Sequence, residues 1–251
     1  MADGITRVRI DLAYRGSAFH GFAANPDVPS VAAKLTESIE KVLRHPVSLL
    51  VAGRTDRGVH ATGQVVSFST SAAHFDPKKL KAALNKLCAP DIAIQAVTSV
   101  DDNFHARFSA TGRRYRYRLL VSDVSDPLRA DVVWWVPPPV SVDLLNEVAP
   151  KFVGSHDFSG FCRRPKRQPD ADLTRAVSEA IWNEVGDELH FVISANAFCH
   201  QMVRSIVSTS VEIARGRIKR DVVDRLLETG NRSLAPEVGP PHGLALEAVL
   251  Y

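Results

Sequence analysis

Ser48-Leu49-Leu50-Val51, then Ala52-Gly53-Arg54-Thr55-Asp56-Arg57-Gly58-Val59-His60-Ala61, then Gln64-Val65-Val66-Ser67-Phe68 form the stretch whose reading decides the fold. The first segment has three aliphatic residues in four and predicts a short buried strand. The last is β-rich and short enough to be a second strand. Between them lies a loop with two glycines, two arginines and one carboxylate. A carboxylate flanked by guanidinium groups stays ionised at neutral pH, because the positive field favours its charged form. An ionised Asp on a loop carried by rigid strands is a candidate nucleophile. Thr55-Asp56-Arg57-Gly58 also suits an ordinary type I turn, and residue types alone favour that plainer reading.

Upstream, Arg7 to Tyr14 alternates polar and apolar, the period of a half-exposed strand, and runs into a glycine-bounded loop, Gly16 to Phe22. Ser30 is an N-cap, and Val31, Leu35, Ile39 and Val42 mark one face of a helix ending near His45-Pro46. Downstream, Asp76-Pro77 opens a second helix with buried face Leu80, Leu84 and Leu87. Ile92 to Val97 reads as another strand. Strand, helix, strand, strand, helix, strand is the order of a compact α+β unit. In Arg113 to Leu119 the two-residue period puts Arg114, Arg116 and Arg118 on one face, with Arg113, Tyr115, Tyr117 and Leu119 on the other. The arginines suit phosphates; the tyrosines suit either a core strand or a stacked base. Pro137-Pro138-Pro139 breaks the chain before a helix starting at Ser141, and Cys162 to Asp172 reads as a basic, proline-broken loop. Two strands follow, over Thr174–Val185 and Leu189–Ser194, turning at Gly186-Asp187. Val203, Ile206, Val207, Ser210, Val211 and Ala214 form the buried stripe of a helix, with Arg204 on its flank. A partly buried guanidinium there needs an anionic partner, and Asp56 is the candidate.

The chain has 251 residues, 45% hydrophobic and 24% charged, with room for one large domain or two modest ones. No apolar run approaches the ~18 residues of a bilayer span. Met1-Ala2-Asp3-Gly4 lacks the profile of a secretory signal. Cys88, Cys162 and Cys199 are few, odd in number and widely spaced, which predicts a reducing compartment rather than a disulfide framework. The expected location is the cytoplasm, with no membrane partner. A net charge of +3 says little about partners, but its distribution does. Arginines cluster at 113–118, 163–167 (with Lys166) and 215–220 (with Lys219), and arginine outnumbers lysine 22 to 9, a pattern that leans towards nucleic acid. No zinc-type Cys or His spacing and no glycine-rich phosphate loop is present, so neither a metal nor a nucleotide cofactor is expected. Cys199 and His200 are adjacent, about 100° apart on a helix, and so are poorly arranged as nucleophile and base.

Gly53-Arg54-Thr55-Asp56-x-Gly58-Val59-His60-Ala61, closing on Gly63-Gln64-Val65, resembles the active-site signature of the TruA-type tRNA pseudouridine synthases. Phe19-His20-Gly21, Phe104-His105-Ala106-Arg107, His156 to Phe161, Phe198 to Arg204 and Pro240 to Leu246 are similar to further segments of that family. The likeness runs from Arg7 to Tyr251. It departs at Phe22-Ala23, where the family usually has Trp-Gln, and at Cys199, usually aliphatic. The resemblance implies an α+β pseudouridine synthase fold, a mixed, mostly antiparallel sheet flanked by helices, with two similar halves about a central cleft. Residues 1–105 would carry the Asp loop and residues 106–251 the Tyr and Arg motifs. It further implies a cofactor-free isomerase that breaks the uridine N1–C1′ bond and rejoins the base through C5. The implied substrate is tRNA at uridines 38, 39 and 40, and the implied assembly a homodimer. Asp56 would attack either C1′ or C6, Tyr115 would stack on the uracil, and Arg204 would pair with Asp56. Arg54 would hold phosphate and fill the vacated space. His60, Arg107, Arg114, Arg116 and the loop residues Arg163, Arg164 and Arg167 complete the expected substrate contacts. Two alternatives stay open: a synthase of this fold acting on other RNA positions, and a non-catalytic RNA-binding protein.

Overall fold

The computed structural model describes residues 4–25, 27–72, 75–165 and 168–251. In chain order its elements are β1 (Thr6–Tyr14), α1 (Val31–Leu43), β2 (Leu50–Val51), β3 (His60–Thr70), α2 (Pro77–Leu87), β4 (Ile92–Val100), β5 (Gly112–Val121) and β6 (Trp134–Val136). Then come α3 (Val142–Val148), β7 (Gly154–Asp157), β8 (Thr174–Val185), β9 (Glu188–Ala195), α4 (Met202–Ala214), α5 (Val222–Thr229) and β10 (Leu244–Leu250). The chain divides into two units, one running to Thr111 and including Leu246–Tyr251, the other Gly112–Ala245.

In the first unit the strand order is β4-β1-β3-β10, with β2 beside β3. The alternation in β1 works as its period demands: Val8, Ile10 and Leu12 are buried while Arg7, Arg9 and Asp11 stay partly solvated. Both neighbours of β1 run antiparallel, with Ile10 opposite Val66 on β3 and opposite Val97 on β4. Two capped helices accompany this sheet. Ser30 Oγ accepts from Ala33 N at 3.3 Å to start α1, and Asp76 accepts from Lys78 N and Lys79 N to start α2. Helix α1 stops at Leu43, short of His45-Pro46, because Arg44 adopts a left-handed conformation that closes the last turn. Strand β3 begins at His60, five residues before the Val65-Val66 pair, so the end of the Asp56 motif belongs to the sheet.

The second unit is built on β5-β9-β8-β7, all antiparallel, with β6 parallel to β5. The strands are therefore mixed but mostly antiparallel and helix-flanked, as the resemblance implied. Helix α4 departs from the expected single stripe: of its 13 residues only Arg204 and Glu212 escape burial. Ser208, Thr209 and Ser210 make this tolerable by donating their hydroxyls to carbonyls of the preceding turn, Thr209 Oγ1 and Ser210 Oγ at 2.8 and 2.9 Å. The cysteine expectation is corrected here: Cys162 and Cys199, 37 positions apart, are joined as a disulfide with Cα atoms 5.8 Å apart. Separation along the chain gave no hint of it, because a backbone bond from Arg163 N to the His200 carbonyl brings the two segments side by side. Cys88 is a buried free thiol. No helix among the described residues is long and apolar enough to cross a membrane.

Candidate active site

The Asp56 loop is clamped at several points within the first unit. Gln64 Nε2 donates to the Gly53 carbonyl at 2.8 Å and to Tyr14 Oη at 3.2 Å, and Tyr14 Oη lies 2.8 Å from Thr55 Oγ1. On the main chain, Phe22 N donates to the Thr55 carbonyl at 3.1 Å and Val59 N to the Asp56 carbonyl at 3.1 Å. Two glycines admit this contact. A Cβ on Gly16 would overlap the Val59 carbonyl, and Gly21, at φ +102°, lies against Thr55 and Arg57. Thr55 is buried, Asp56 half-buried, and Arg54 and Arg57 exposed. The loop thus presents one carboxylate and two guanidinium groups from a fixed backbone. Burial pushes the Tyr14 hydroxyl up to about 12, despite hydrogen bonds with Thr55 and Gln64, so it stays protonated at any working pH. Phe22, where the family usually has Trp, is buried and packs 6.1 Å from the Tyr14 ring. His60 is buried too, with Nδ1 accepting from Gly16 N at 3.0 Å.

In the second unit the two tyrosines of β5 part company. Tyr117 is wholly enclosed: its Oη donates to the Pro240 carbonyl at 2.7 Å, and Gly243 presses against its ring. Burial drives its pKa upward, against the pull of the nearby Arg204 charge. Tyr115 keeps 8% exposure and meets Phe198 edge-on at 4.9 Å, so a ring at the margin of the core is held in one orientation. Arg204, half-buried on α4, donates from Nε to the Gly239 carbonyl at 2.7 Å, and Gly239 N donates back to the Arg204 carbonyl at 3.3 Å. That reciprocal anchor fixes the stem of the guanidinium.

The arginine face of β5 is not uniform. Arg114 pairs with Glu179 at 3.3 Å, while Arg118 forms a bidentate pair with Glu188, both bonds 2.7 Å. Register explains both, since Arg118 lies opposite His190, two residues from Glu188, and Arg114 lies opposite Ser194, the neighbour of Glu179. Arg116 is half-buried between them. Arg107 is exposed, with its guanidinium 5.4 Å from the Phe108 ring. Arg163 and Arg164 are exposed as well, and Arg164 is steadied by bonds to Ser159 Oγ and the Pro169 carbonyl at 2.8 and 2.9 Å. Arg167 lies outside the described residues. Among the described residues no group of three or more His, Cys, Asp or Glu is placed to hold a metal ion. The Tyr14–Thr55–Gln64 network escaped the sequence reading. Its one signal was Gln64, a primary amide directly beside the apolar pair Val65-Val66.

A family model described as tRNA pseudouridine synthase matches residues 12–109 and 148–251, which takes in Asp56 and Arg204 but not Tyr115. Full-length relatives bridge that gap. The tRNA pseudouridine synthase A of Shewanella sediminis is 38% identical over 98% of this chain and 93% of its own. Its namesake from Methylacidiphilum infernorum is 35% identical over 97% and 94%, and that from Staphylococcus aureus strain MRSA252 is 31% identical over 97% and 91%. On matches of this extent, the chain belongs to the tRNA pseudouridine synthase family.

Proposed function

We propose that this protein converts uridines 38, 39 and 40 of the tRNA anticodon stem-loop to pseudouridine, with Asp56 as nucleophile. The observation that carries the reading is the clamped loop, which presents one carboxylate on a backbone held by Tyr14, Gln64 and Phe22. A pre-positioned carboxylate is what covalent catalysis requires. The target base leaves its stack at a cost of a few kcal/mol. Arg54 holds the phosphate and occupies the vacated space, and Tyr115 stacks on the uracil. Asp56 attacks C1′ or C6. The N1–C1′ bond breaks, the base turns, and C5 bonds to C1′. The proton on C5 is then lost while N1 takes one up, so the reaction is redox-neutral and needs no cofactor. Arg204 is the cation assigned to keeping Asp56 ionised. Arg107, Arg114, Arg116, Arg163, Arg164 and Arg167 neutralise backbone phosphates, with His60 supporting the loop. Action on tRNA assigns the protein to the cytoplasm, and the family resemblance implies a homodimer as its working form. The test is to map pseudouridine in tRNA from a strain lacking this protein. Loss confined to positions 38, 39 and 40, restored by the intact chain, is the expected result. Loss at other positions overturns the assignment of site.

A further inference from the structure

Gln64 is wholly buried in β3, and only one orientation of its amide fits its surroundings. Oε1 faces the N–H of Val65 at 3.2 Å, and Nε2 faces the carbonyl of Gly53 at 2.8 Å. Reversing the amide would set two acceptors together and two donors together. The second N–H of Nε2 therefore goes to Tyr14 Oη, 3.2 Å away. Tyr14 has one proton to give and, among the described residues, Thr55 Oγ1 at 2.8 Å as its acceptor. Leaving that buried proton unbonded would be costly, so the direction is set: Gln64 to Tyr14 to Thr55. Thr55 is then held by its side chain from Tyr14 and by its carbonyl from Phe22 N, immediately before Asp56.

The sheet does not need this network, since β1 and β3 are already joined by their ladder from Thr6–Thr70 to Leu12–Gln64. The ladder shifts between Leu12 and Tyr14, with Tyr14 opposite Ala61 and one extra residue on β3. A bulge of this kind re-aims a side chain, here the Tyr14 hydroxyl towards the loop. We propose that Tyr14 and Gln64 are positioning residues for the reaction, a hydrogen-bonded brace that sets Thr55 and through it the aim of Asp56. The proposal rests on Asp56 being the nucleophile.

The test compares Tyr14→Phe, Thr55→Val, Thr55→Ser, the double variant Tyr14→Phe/Thr55→Val, and Asp56→Asn. Each is assayed for single-turnover tritium release from tRNA labelled at uracil C5, for tRNA affinity by filter binding, and for thermal unfolding. Small displacements of a reacting group cost on the order of 10²-fold, so Tyr14→Phe and Thr55→Val are each expected to slow turnover roughly 10- to 100-fold with affinity within about twofold. Thr55→Ser, which keeps the hydroxyl, recovers most of that loss. The double variant is no slower than the slower single, because both remove the same bond. Wild-type turnover in Tyr14→Phe, or single losses that multiply in the double variant, overturns the brace. Should Tyr14→Phe fail to fold, equal rates in Thr55→Val and Thr55→Ser overturn it instead. Asp56→Asn separates the two questions: full activity there removes the nucleophile itself, whatever the brace does.

Discussion

Replacing Glu188 by glutamine tests how the second unit is held at the β8–β9 turn. Glu188 is 5% exposed and gathers two bonds from Arg118 at 2.7 Å, one from Arg129 at 3.1 Å and one with His190 at 2.9 Å. Burial opposes its ionisation, yet the hydrogen bonds from Arg118, His190 and Arg129 and the Arg118 charge outweigh it, bringing its pKa down from 4.5 to about 2. At about 1.4 kcal/mol per pH unit this gap corresponds to about 3 kcal/mol. Arg118 and Arg129 keep 32% and 29% of their side chains in water, and screening there trims the figure to about 2 kcal/mol. Because the folded value lies below the unfolded one, the stabilisation is complete above about 4.5 and is lost as pH falls towards 2. Glu188→Gln should lower Tm at pH 7 by roughly 4–8 °C for a chain of this size. The gap between variant and wild type, followed by circular dichroism, should fall below half of its pH 7 value by pH 3. A gap that stays constant from pH 7 to pH 3 would refute the electrostatic account and leave only a packing effect.

Arg163→Ala with Arg164→Ala should reduce the slope of log affinity against log salt by roughly 1 to 2 for tRNA; an unchanged slope makes these two arginines solvated surface. Tyr115→Phe keeps the ring and its stacking, so tRNA affinity should hold; a hydroxyl that assists proton removal from C5 would make tritium release slow, and wild-type release would leave only the ring at work. Gly16→Ala forces a methyl into the Val59 carbonyl, and the strain should cost about 1–3 kcal/mol in urea unfolding and lower turnover with it. A Gly16→Ala protein with unaltered stability and rate would mean the loop is not tightly seated.

Sequence reading succeeded where one local rule governed. The two-residue period of β1 and β5, the Ser30 and Asp76 caps and the Gly186-Asp187 turn all reappear in the structure. It fell short where distant segments meet. The strand alternation put Arg114 and Arg118 on a phosphate-facing ladder, but only cross-strand register reveals that Glu179 and Glu188 lie within their reach. The same limit hid the Cys162–Cys199 bridge, which depends on a loop being drawn alongside the start of α4. Helix α4 is buried beyond the stripe its periodicity marked, because the hydroxyls of Thr209 and Ser210 bond to their own helix and can be enclosed. At the candidate site the motif was legible as residue types, whereas the brace behind it was not. Tyr14 and Gln64 meet Thr55 only because of a bulge that no periodicity announces.

The central claim is that Asp56 is the attacking group. Asp56→Asn preserves the size and most of the hydrogen-bonding capacity of the side chain while removing its charge. Tritium release from tRNA labelled at uracil C5, measured beside a filter-binding titration, reads chemistry and affinity separately. The account predicts release at background and affinity that is unchanged or somewhat improved, since the carboxylate no longer repels phosphate. Wild type should form an adduct with tRNA carrying 5-fluorouridine at the target position, and Asp56→Asn should not. Substantial tritium release by a folded Asp56→Asn protein would contradict the account.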